Sequence, residues 1–226
     1  MSSAFAMWSG GKDSHYALQR ALQAGMECEL LVTFIDEETD LVMSHRLPPE
    51  LIEEQARLVG IPLLKVRATY ATYERALRNT LFDIRSEGIT CGIFGDIYLR
   101  EHREWFENIT SDFSIRPIFP LWGIPTALLI EEQRRAMRSV IIQIERRISE
   151  AYLGRDITKE FIEYLGEQGL DPCGESGEYH TFVCRSPLME GEIILTHAER
   201  RATTGSIGLE IDYWKVVQGR SATRLY

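Results

Sequence analysis

The sequence predicts an α/β protein with a doubly wound parallel sheet, followed by a smaller α+β part. Over the first two-thirds of the chain, short apolar runs alternate with helical patterns. Glycines at Gly25, Gly60 and Gly88 fall just after predicted helix ends, where a left-handed C-cap is expected. Regular alternation of this kind places parallel strands side by side with helices on both faces. Ligands of such sheets bind beyond the carboxyl ends of the strands, so the loops after the strands are searched for a site.

The elements of the first part follow from these patterns in order. The predicted strands are Ala4–Trp8, Cys28–Ile35, Leu63–Arg67, Cys91–Gly95, Arg116–Leu121 and Val140–Ile144. The predicted helices between them are Asp13–Ala24, Pro49–Val59, Tyr73–Glu87, Leu99–Ser111 and Thr126–Arg138. Pro48 and Pro49 suit a helix start because proline is tolerated in the first turn.

The pattern changes near Ala151, so we predict two domains, residues 1–150 and 151–226. The second begins with a helix over Thr158–Gln168, capped by Thr158 and ended by Gly169. Short β-like segments follow, at Tyr179–Cys184, Glu192–Leu195 and Gly208–Val217. No proline- or serine-rich linker separates the two parts, so we expect them to pack together.

Composition excludes several classes of protein. The net charge is −9, from 34 acidic and 25 basic residues among 226, which argues against a nucleic-acid partner. No apolar run approaches the roughly 18–20 residues of a membrane span. The four cysteines, Cys28, Cys91, Cys173 and Cys184, form no C-x-x-C pair, so a zinc ribbon or a disulfide framework is not expected. We expect a cytoplasmic protein with reduced thiols and no membrane association.

The loop Ser9–Ser14, with the sequence SGGKDS, lies between the first strand and the first helix. Such a turn is an anion site because backbone N–H groups converge there and the helix dipole favours negative charge. Lys12 adds a positive charge. The loop is not a Walker A motif, since Ala6 replaces the required glycine and Asp13 the required hydroxyl residue. The alternative is an ordinary β-turn-α connection without a ligand. The two glycines, the lysine and the hydroxyl residues between a strand and a helix favour phosphate binding.

Five polar or aromatic residues near other strand ends have two interpretations each. Asp96 follows a strand and could hold magnesium or cap the next helix. His102 and Arg103, in the first turns of that helix, could meet phosphate or a carboxylate, or belong to a solvated face. His45 could contact a nucleotide or be structural. Trp122 could form a wall of the pocket or pack in the core.

The densest polar cluster is Asp171–Phe182, which contains two glycines, two glutamates, a cysteine and a histidine. Glu175, Glu178 and His180 could bind ammonium or a metal or act as a general base; the alternative is a tight turn with exposed acids. The functional interpretation is favoured because an acid-rich loop must be held in place. Cys173 is a weak candidate nucleophile because no cationic residue adjoins it in the sequence.

The SGGKDS loop resembles the SGGxDS signature of the PP-loop ATP pyrophosphatases. Together with PCGESGEYHTF at residues 172–182, it resembles the diphthine–ammonia ligase family of that superfamily. The resemblance implies a Rossmann-like fold of the adenine nucleotide alpha hydrolase type, with ATP and Mg²⁺ as cofactors. It also implies that the enzyme adenylates a carboxylate and lets ammonia displace AMP, turning diphthine into diphthamide. The implied partners are ATP, ammonium and a carboxylate acceptor on the modified histidine of an elongation factor, and a homodimer is left open.

These considerations define the expected site. The expected ATP-binding residues are Ser9, Gly10, Gly11, Lys12, Asp13, Ser14, His45 and Asp96. The expected catalytic residues are Lys12, Asp13, Glu175, Glu178 and His180, and Asp13 and Asp96 are the expected magnesium ligands. The expected substrate-side residues are His102, Arg103, Trp122, Cys173 and Gly174.

The chain departs from the family pattern on the acceptor side. The stretch from Asp96 to His102 differs from the eukaryotic-type SDYQR segment, and His180 stands where that type has an acidic residue. One alternative is therefore an ATP pyrophosphatase acting on another carboxylate. A second is a PP-loop enzyme that modifies tRNA, against which the net charge of −9 and the scattered cysteines argue. A third is a nucleotide sensor without chemistry, which would not need both loops.

Overall fold

A computed structural model describes residues 3–219 and contains two sheets. The first sheet is built from β1 (Ser3–Met7), β2 (Glu27–Asp36), β3 (Leu63–Ala68), β4 (Cys91–Ile93) and β5 (Arg116–Ile118). Its order is β3-β2-β1-β4-β5, and all four pairings are parallel. The predicted doubly wound α/β core is confirmed. The strand order reverses between β1 and β4, so the crevice of this sheet opens after those two strands.

Helices cover both faces of the parallel sheet. They are α1 (Lys12–Gln23), α2 (Pro49–Val59), α3 (Tyr73–Ser86), α4 (Arg100–Ser111) and α5 (Thr126–Ala136). Side chains of β1 alternate between two apolar clusters: Ala4 and Ala6 join one with α1, α2 and α5, while Phe5 joins the other with α3 and α4. The helix ends follow the sequence signals, since Pro49 opens α2 and Gly60 closes it in the left-handed conformation.

The second sheet is antiparallel, and it includes one strand that the sequence pattern assigned elsewhere. Its strands are β6 (Arg138–Glu145), β7 (Tyr179–Arg185), β8 (Gly191–Ala202) and β9 (Ser206–Gln218), in the order β7-β6-β9-β8. The predicted strand Val140–Ile144 corresponds to β6, which pairs with β7 and β9 rather than with the parallel sheet. The expectation that this segment forms a further strand of the parallel sheet was wrong. A buried apolar run has the same sequence pattern in a parallel and in an antiparallel sheet. The division at residue 150 stays a prediction.

Two further elements complete the second part. A short 3-10 turn at Glu150–Tyr152 precedes α6 (Lys159–Glu167), whose first turn is capped by Thr158, as predicted, through its side-chain oxygen. Strands β8 and β9 form a longer hairpin than the sequence indicated, since the charged residues after Leu195 continue the ladder. The continuation of β8 is hard to recognise from alternation because both of its faces are exposed after Leu195.

The two sheets share one core. The larger apolar cluster joins Trp8 and Leu18 of the first part to Ile141, Phe161 and Phe182 of the second. The second part therefore packs directly against the loop that follows β1, as the absence of a linker predicted. Within residues 3–219, no helix combines the length and apolar character needed to cross a membrane.

Candidate active site

The Ser9–Ser14 loop connects β1 to α1 at the crevice of the parallel sheet, where the strand order places a ligand. Gly10 adopts φ 81°, a region that residues with a side chain rarely occupy. A Cβ atom on Gly10 would lie 2.4 Å from Cδ1 of Ile52, and one on Gly11 would lie 2.5 Å from Nε2 of His45. A side chain at either position would therefore force a neighbouring side chain to shift, and at Gly10 it would also strain the backbone.

Strand β7 and helix α2 fix the backbone of this loop. The Val183 N–H donates to the Gly10 carbonyl oxygen at 3.0 Å, and the Lys12 N–H donates to Oγ1 of Thr181 at 3.1 Å. Gln55 of α2 donates through Nε2 to the carbonyl oxygens of Gly10, at 3.2 Å, and Val183, at 2.8 Å. Both parts of the chain thus set the shape of the loop, the first through α2 and the second through β7.

Lys12 is buried, with 3% of its surface exposed, and its ammonium joins the two polar loops. Nζ donates to Oδ2 of Asp13 at 2.8 Å and to the carbonyl oxygen of Cys173 at 2.5 Å. It also lies 5.2 Å from the ring centroid of Tyr179. Burial by itself lowers the pKa of Lys12, but the Asp13 carboxylate acts in the opposite direction, and the net pKa is raised. The side chain is therefore a permanent cation.

A cavity of about 590 Å³ opens between the Ser9–Ser14 loop and the acidic loop of residues 171–178. We call it the nucleotide cavity. Of the predicted site residues, those that line it are Ser9, Lys12, Asp13, Ser14, His45, Asp96, His102, Gly174, Glu175 and His180. Its size lies in the range of small-molecule sites.

Acidic side chains gather on one side of the nucleotide cavity. Asp13 accepts a hydrogen bond from Gln133 at 2.9 Å, and Glu175 accepts one from the Ile97 N–H at 2.9 Å. Burial, with smaller contributions from the charges of Asp13 and Asp96, raises the pKa of Glu175 to about 7, although the hydrogen bond from Ile97 opposes the shift. Burial likewise raises the pKa of Asp96, although His102, 3.5 Å away, opposes the shift. The alternative role of Asp96 as a helix cap was wrong, since α4 begins after Leu99.

This acidic side has the donor chemistry that Mg²⁺ requires. Asp13, Asp96 and Glu175 supply carboxylate oxygens, and the pKa values of Asp96 and Glu175 are raised chiefly by burial and in part by repulsion from neighbouring carboxylates. A divalent cation would relieve that repulsion. The residues present therefore fit the expected metal, with Asp13 and Asp96 as its proposed ligands.

Two neutral histidines form the opposite side of the nucleotide cavity. The rings of His45 and His180 are 4.8 Å apart between centroids. Burial lowers the pKa of His45 well below its usual value and lowers that of His180 to about 4, and the positive charge of Lys12 adds to both shifts. Nδ1 of His45 is buried without a partner among the described residues. Both rings are therefore neutral near pH 7.

The remaining lining is largely apolar and lies near the ends of β1 and β2. Trp8, Val32, Phe34 and Tyr73 contribute to it, and the rings of Phe34 and Tyr73 are 4.5 Å apart. Oγ1 of Thr33 in the same wall is buried without a partner within residues 3–219. A flat heterocycle with polar edges fits this wall, because aromatic faces and an unsatisfied hydroxyl adjoin each other.

Several predicted residues lie outside the lining. The guanidinium of Arg103 stacks on the Trp122 ring at 4.7 Å and bonds to Glu107, so these two side chains support each other beside α4. The Cys173 thiol donates to the Thr126 carbonyl oxygen, and burial raises its pKa, which makes it a poor nucleophile. Glu178 is buried, and its Oε2 has no partner in the part of the chain that the structure describes.

Sequence reasoning missed four residues that position the site: Gln55, Gln133, Tyr179 and Thr181. Tyr179 donates to the Pro172 carbonyl oxygen at 2.6 Å and so closes the acidic loop onto itself. Gln55 and Gln133 are fully buried glutamines on otherwise apolar helix faces. The signal available in the sequence was a glutamine at an otherwise apolar position of a helix. A buried amide group needs hydrogen-bond partners, and helix periodicity alone does not identify them.

Comparisons with known proteins show which sequences and structures this chain is similar to. Two sequence families match, the diphthamide synthase N-terminal domain over residues 1–117 and the diphthamide synthase C-terminal domain over residues 125–216. The diphthine–ammonia ligase of Homo sapiens is 26% identical and that of Danio rerio 22% identical. The human alignment covers 86% of this chain and 83% of that protein; the fish alignment covers 84% and 85%. A solved structure, a predicted subunit of a tRNA methyltransferase from Methanocaldococcus jannaschii, is 18% identical with a TM-score of 0.47, over 83% of this chain and 98% of that one.

Proposed function

The chain belongs to the diphthamide synthase family, and on that premise we propose that it is a ligase that uses ATP to convert a carboxylate into an amide. The products besides the amide are AMP and pyrophosphate. The observation that carries the proposal is the contact of Lys12 with both Asp13 and Cys173, which unites the phosphate loop and the acidic loop in one cavity. A protein that only bound nucleotide would not need the acidic loop there.

ATP is proposed to bind with its triphosphate at the Ser9–Ser14 loop and its base against the apolar wall. The N-terminus of α1 and the Lys12 ammonium supply positive potential for the phosphates. Thr33, with its unpartnered hydroxyl, and Phe34 lie where the adenine would stack. Mg²⁺ held by Asp13 and Asp96 would neutralise phosphate charge that develops as pyrophosphate leaves.

The proposed reaction has two balanced steps. In the first, an oxygen of the acceptor carboxylate attacks the α-phosphorus, the bond to the β-phosphate oxygen breaks, and pyrophosphate leaves. In the second, the nitrogen of ammonia attacks the acyl carbon, the bond to AMP breaks, and an amide forms. The nitrogen enters as ammonium, so one proton must leave before the attack and another after it. Lys12 stabilises the charge on the phosphates without transferring a proton, because its pKa is raised.

The acidic loop is proposed to bind and deprotonate ammonium. Glu178 offers a buried carboxylate with an unpartnered oxygen, which suits a small cation. Glu175, with a pKa of about 7, can accept the first proton near neutral pH. His180 is neutral at that pH and can accept the second proton as the amide forms. Glu178 lies three positions after Glu175, and His180 lies two positions after Glu178. The three roles account for the density of polar side chains in this loop.

The proposed acceptor is diphthine, as the names of the relatives imply. Its location on an elongation factor rests on the family resemblance of the sequence alone. The acceptor side also supports a second candidate, a different carboxylate. His180, which departs from the family pattern, lines the nucleotide cavity directly and so adjoins whatever binds there. A histidine in place of an acid changes both charge and hydrogen bonding at that position.

The test uses purified protein, ATP, magnesium and ¹⁵N-ammonium with an elongation factor that carries diphthine. The proposal predicts ¹⁵N in the acceptor by mass spectrometry and one AMP for each amide. ADP formation, or AMP formation without amide, would contradict it. Amide formation on another carboxylate but not on diphthine would select the second candidate.

A further inference from the structure

A second cavity lies apart from the nucleotide cavity, where the end of α5, the start of β6 and the end of β7 meet. Its volume is about 490 Å³, and four arginines line it: Arg134, Arg135, Arg138 and Arg185. We call it the arginine cleft. None of its lining residues also lines the nucleotide cavity. In a chain whose net charge is −9, four guanidinium groups from three separate elements converge on one concave surface.

The acids around the arginine cleft are shared and do not saturate the guanidinium groups. Glu131 serves both Arg134, at 2.9 Å, and Arg135, at 3.6 Å. Glu192 serves both Arg138, at 2.9 Å, and Arg185, at 3.8 Å. Since each guanidinium carries five N–H donors, most of the donors in the cleft are left for a ligand or for water.

The inner pair of arginines, Arg134 and Arg138, differs in freedom from the outer pair, Arg135 and Arg185. The inner side chains are only 28% and 34% exposed, and Arg134 is held by Glu131. Arg138 is held by Asp156 at 3.0 Å as well as by Glu192, so its orientation is fixed before any ligand arrives. The side chains of Arg135 and Arg185 are 74% and 64% exposed, and their long contacts leave them free to close over a bound group. Two fixed and two adjustable guanidiniums suit the fork geometry by which arginine binds phosphate.

Two polar atoms of the arginine cleft have no partner within residues 3–219. Nε of Arg134 is a buried donor, and Oδ1 of Asp156 is a buried acceptor. Leaving such atoms unpaired is costly, so each calls for a ligand or water to satisfy it. The Asp156 side chain is 44% exposed and lines the cleft, so it offers an acceptor beside the cations to a ligand that carries a hydrogen-bond donor as well as negative charge.

We propose that the arginine cleft binds a phosphate monoester of a small hydroxylated molecule. The phosphate would lie among the four guanidiniums, and a hydroxyl would donate to Asp156. Met137, Ile157 and Pro187 give the cleft apolar walls for the carbon skeleton of the ester. The volume exceeds what a lone phosphate ion would fill, whereas it suits a sugar phosphate or a mononucleotide. This site is independent of the proposed ligase reaction.

The test measures binding of ribose 5-phosphate, inorganic phosphate and ribose to the whole protein by isothermal titration calorimetry. Ribose 5-phosphate is expected to bind more tightly than phosphate, and ribose is expected not to bind. The double variant Arg134→Gln/Arg185→Gln should weaken ribose 5-phosphate binding about tenfold or more. The Lys12→Met variant, which alters the nucleotide cavity, should leave that binding unchanged.

A matched control is the double variant Arg57→Gln/Arg147→Gln. Arg57 forms an ion pair with Glu54, three residues before it, as Arg134 does with Glu131. The Arg147 side chain is 67% exposed, a fraction similar to that of Arg185. It should bind ribose 5-phosphate as the unchanged protein does. Absence of binding, equal binding by the arginine-cleft variant, or loss of binding in Lys12→Met would overturn the site. Equal affinity for phosphate and for ribose 5-phosphate would overturn the assignment to an ester.

Discussion

Nζ of Lys12 donates a hydrogen bond of 2.5 Å to the carbonyl oxygen of Cys173, 161 residues further along the chain. The same ammonium donates to Asp13 at 2.8 Å. One buried cation therefore holds the Ser9–Ser14 loop and the acidic loop in a fixed relation. The Ser9–Ser14 loop lies at the switch point of the parallel sheet, and the acidic loop lies just before β7. Lys12 joins them at one cavity.

Replacing Lys12 by methionine should abolish both functions of the ammonium. We expect ATP turnover to fall at least about a hundredfold, because a buried donor to developing charge is lost. We also expect a loss of about 1–3 kcal/mol in the free energy of unfolding, since Asp13 and the Cys173 carbonyl each lose a partner. AMP formation and chemical denaturation measure the two effects. Lys159→Met, at an exposed lysine paired with Glu163, is the control; normal turnover in Lys12→Met would refute the role.

Adding one methyl group at Gly11 should damage the loop through space alone. Its φ of −83° suits any residue, but a Cβ atom would lie 2.5 Å from Nε2 of His45 and 3.2 Å from the Thr181 carbonyl oxygen. We expect Gly11→Ala to raise the KM for ATP or abolish turnover. Gly166→Ala in α6 has open space around its Cβ and should stabilise the helix by about 1 kcal/mol with normal turnover. Comparable kinetics in both variants would show that the loop tolerates the contact.

The Gln55 side chain should matter for stability and for nucleotide affinity together. Its amide nitrogen bridges the Gly10 and Val183 carbonyl oxygens in a fully buried position. Gln55→Leu should cost about 1–3 kcal/mol in unfolding free energy, because two buried acceptors lose a donor, and should raise the KM for ATP. The exposed Gln23→Leu variant should change stability by less than about 0.5 kcal/mol. A stability loss in Gln55→Leu with an unchanged KM would mean that the hydrogen bonds of Gln55 do not shape the Ser9–Ser14 loop.

Glu175 should make the stability of the protein depend on pH near neutrality. Its pKa is raised from 4.5 to about 7 by burial, so the folded protein binds this proton more tightly than the unfolded chain does. The resulting stabilisation is complete below about pH 4.5 and is lost as the pH rises through 7. Unfolding free energies measured from pH 5 to 8 should fall less steeply in Glu175→Gln than in the unchanged protein. Parallel pH profiles would contradict the assignment.

The sequence predicted the parallel sheet and its helices well, because each element carries its own local signals. Helix α2 begins at Pro49 and ends at Val59 as expected, since a proline and a glycine mark its two ends. Strand β6 was assigned to the wrong sheet, because pairing partners such as β7 lie far along the chain. The period of the apolar residues shows which side chains of a strand are buried but not which strand pairs with it.

The site was predicted in part. Motif spacing located Lys12, Asp13 and Glu175, which all line the nucleotide cavity. It could not reveal that Thr181 accepts from the Lys12 N–H, because that contact spans 169 positions. Trp122 was expected as a pocket wall, yet it packs on Arg103 outside the lining, since an aromatic residue after a strand suits either place.

The most direct test of the proposed reaction follows an oxygen atom. The acceptor carboxylate is labelled with ¹⁸O and incubated with the protein, ATP, magnesium and ammonium, and the AMP is analysed by mass spectrometry. Adenylation transfers one carboxylate oxygen to the α-phosphate, so the proposal predicts one ¹⁸O in each AMP formed with amide. Unlabelled AMP, or labelled inorganic phosphate together with ADP, would contradict it.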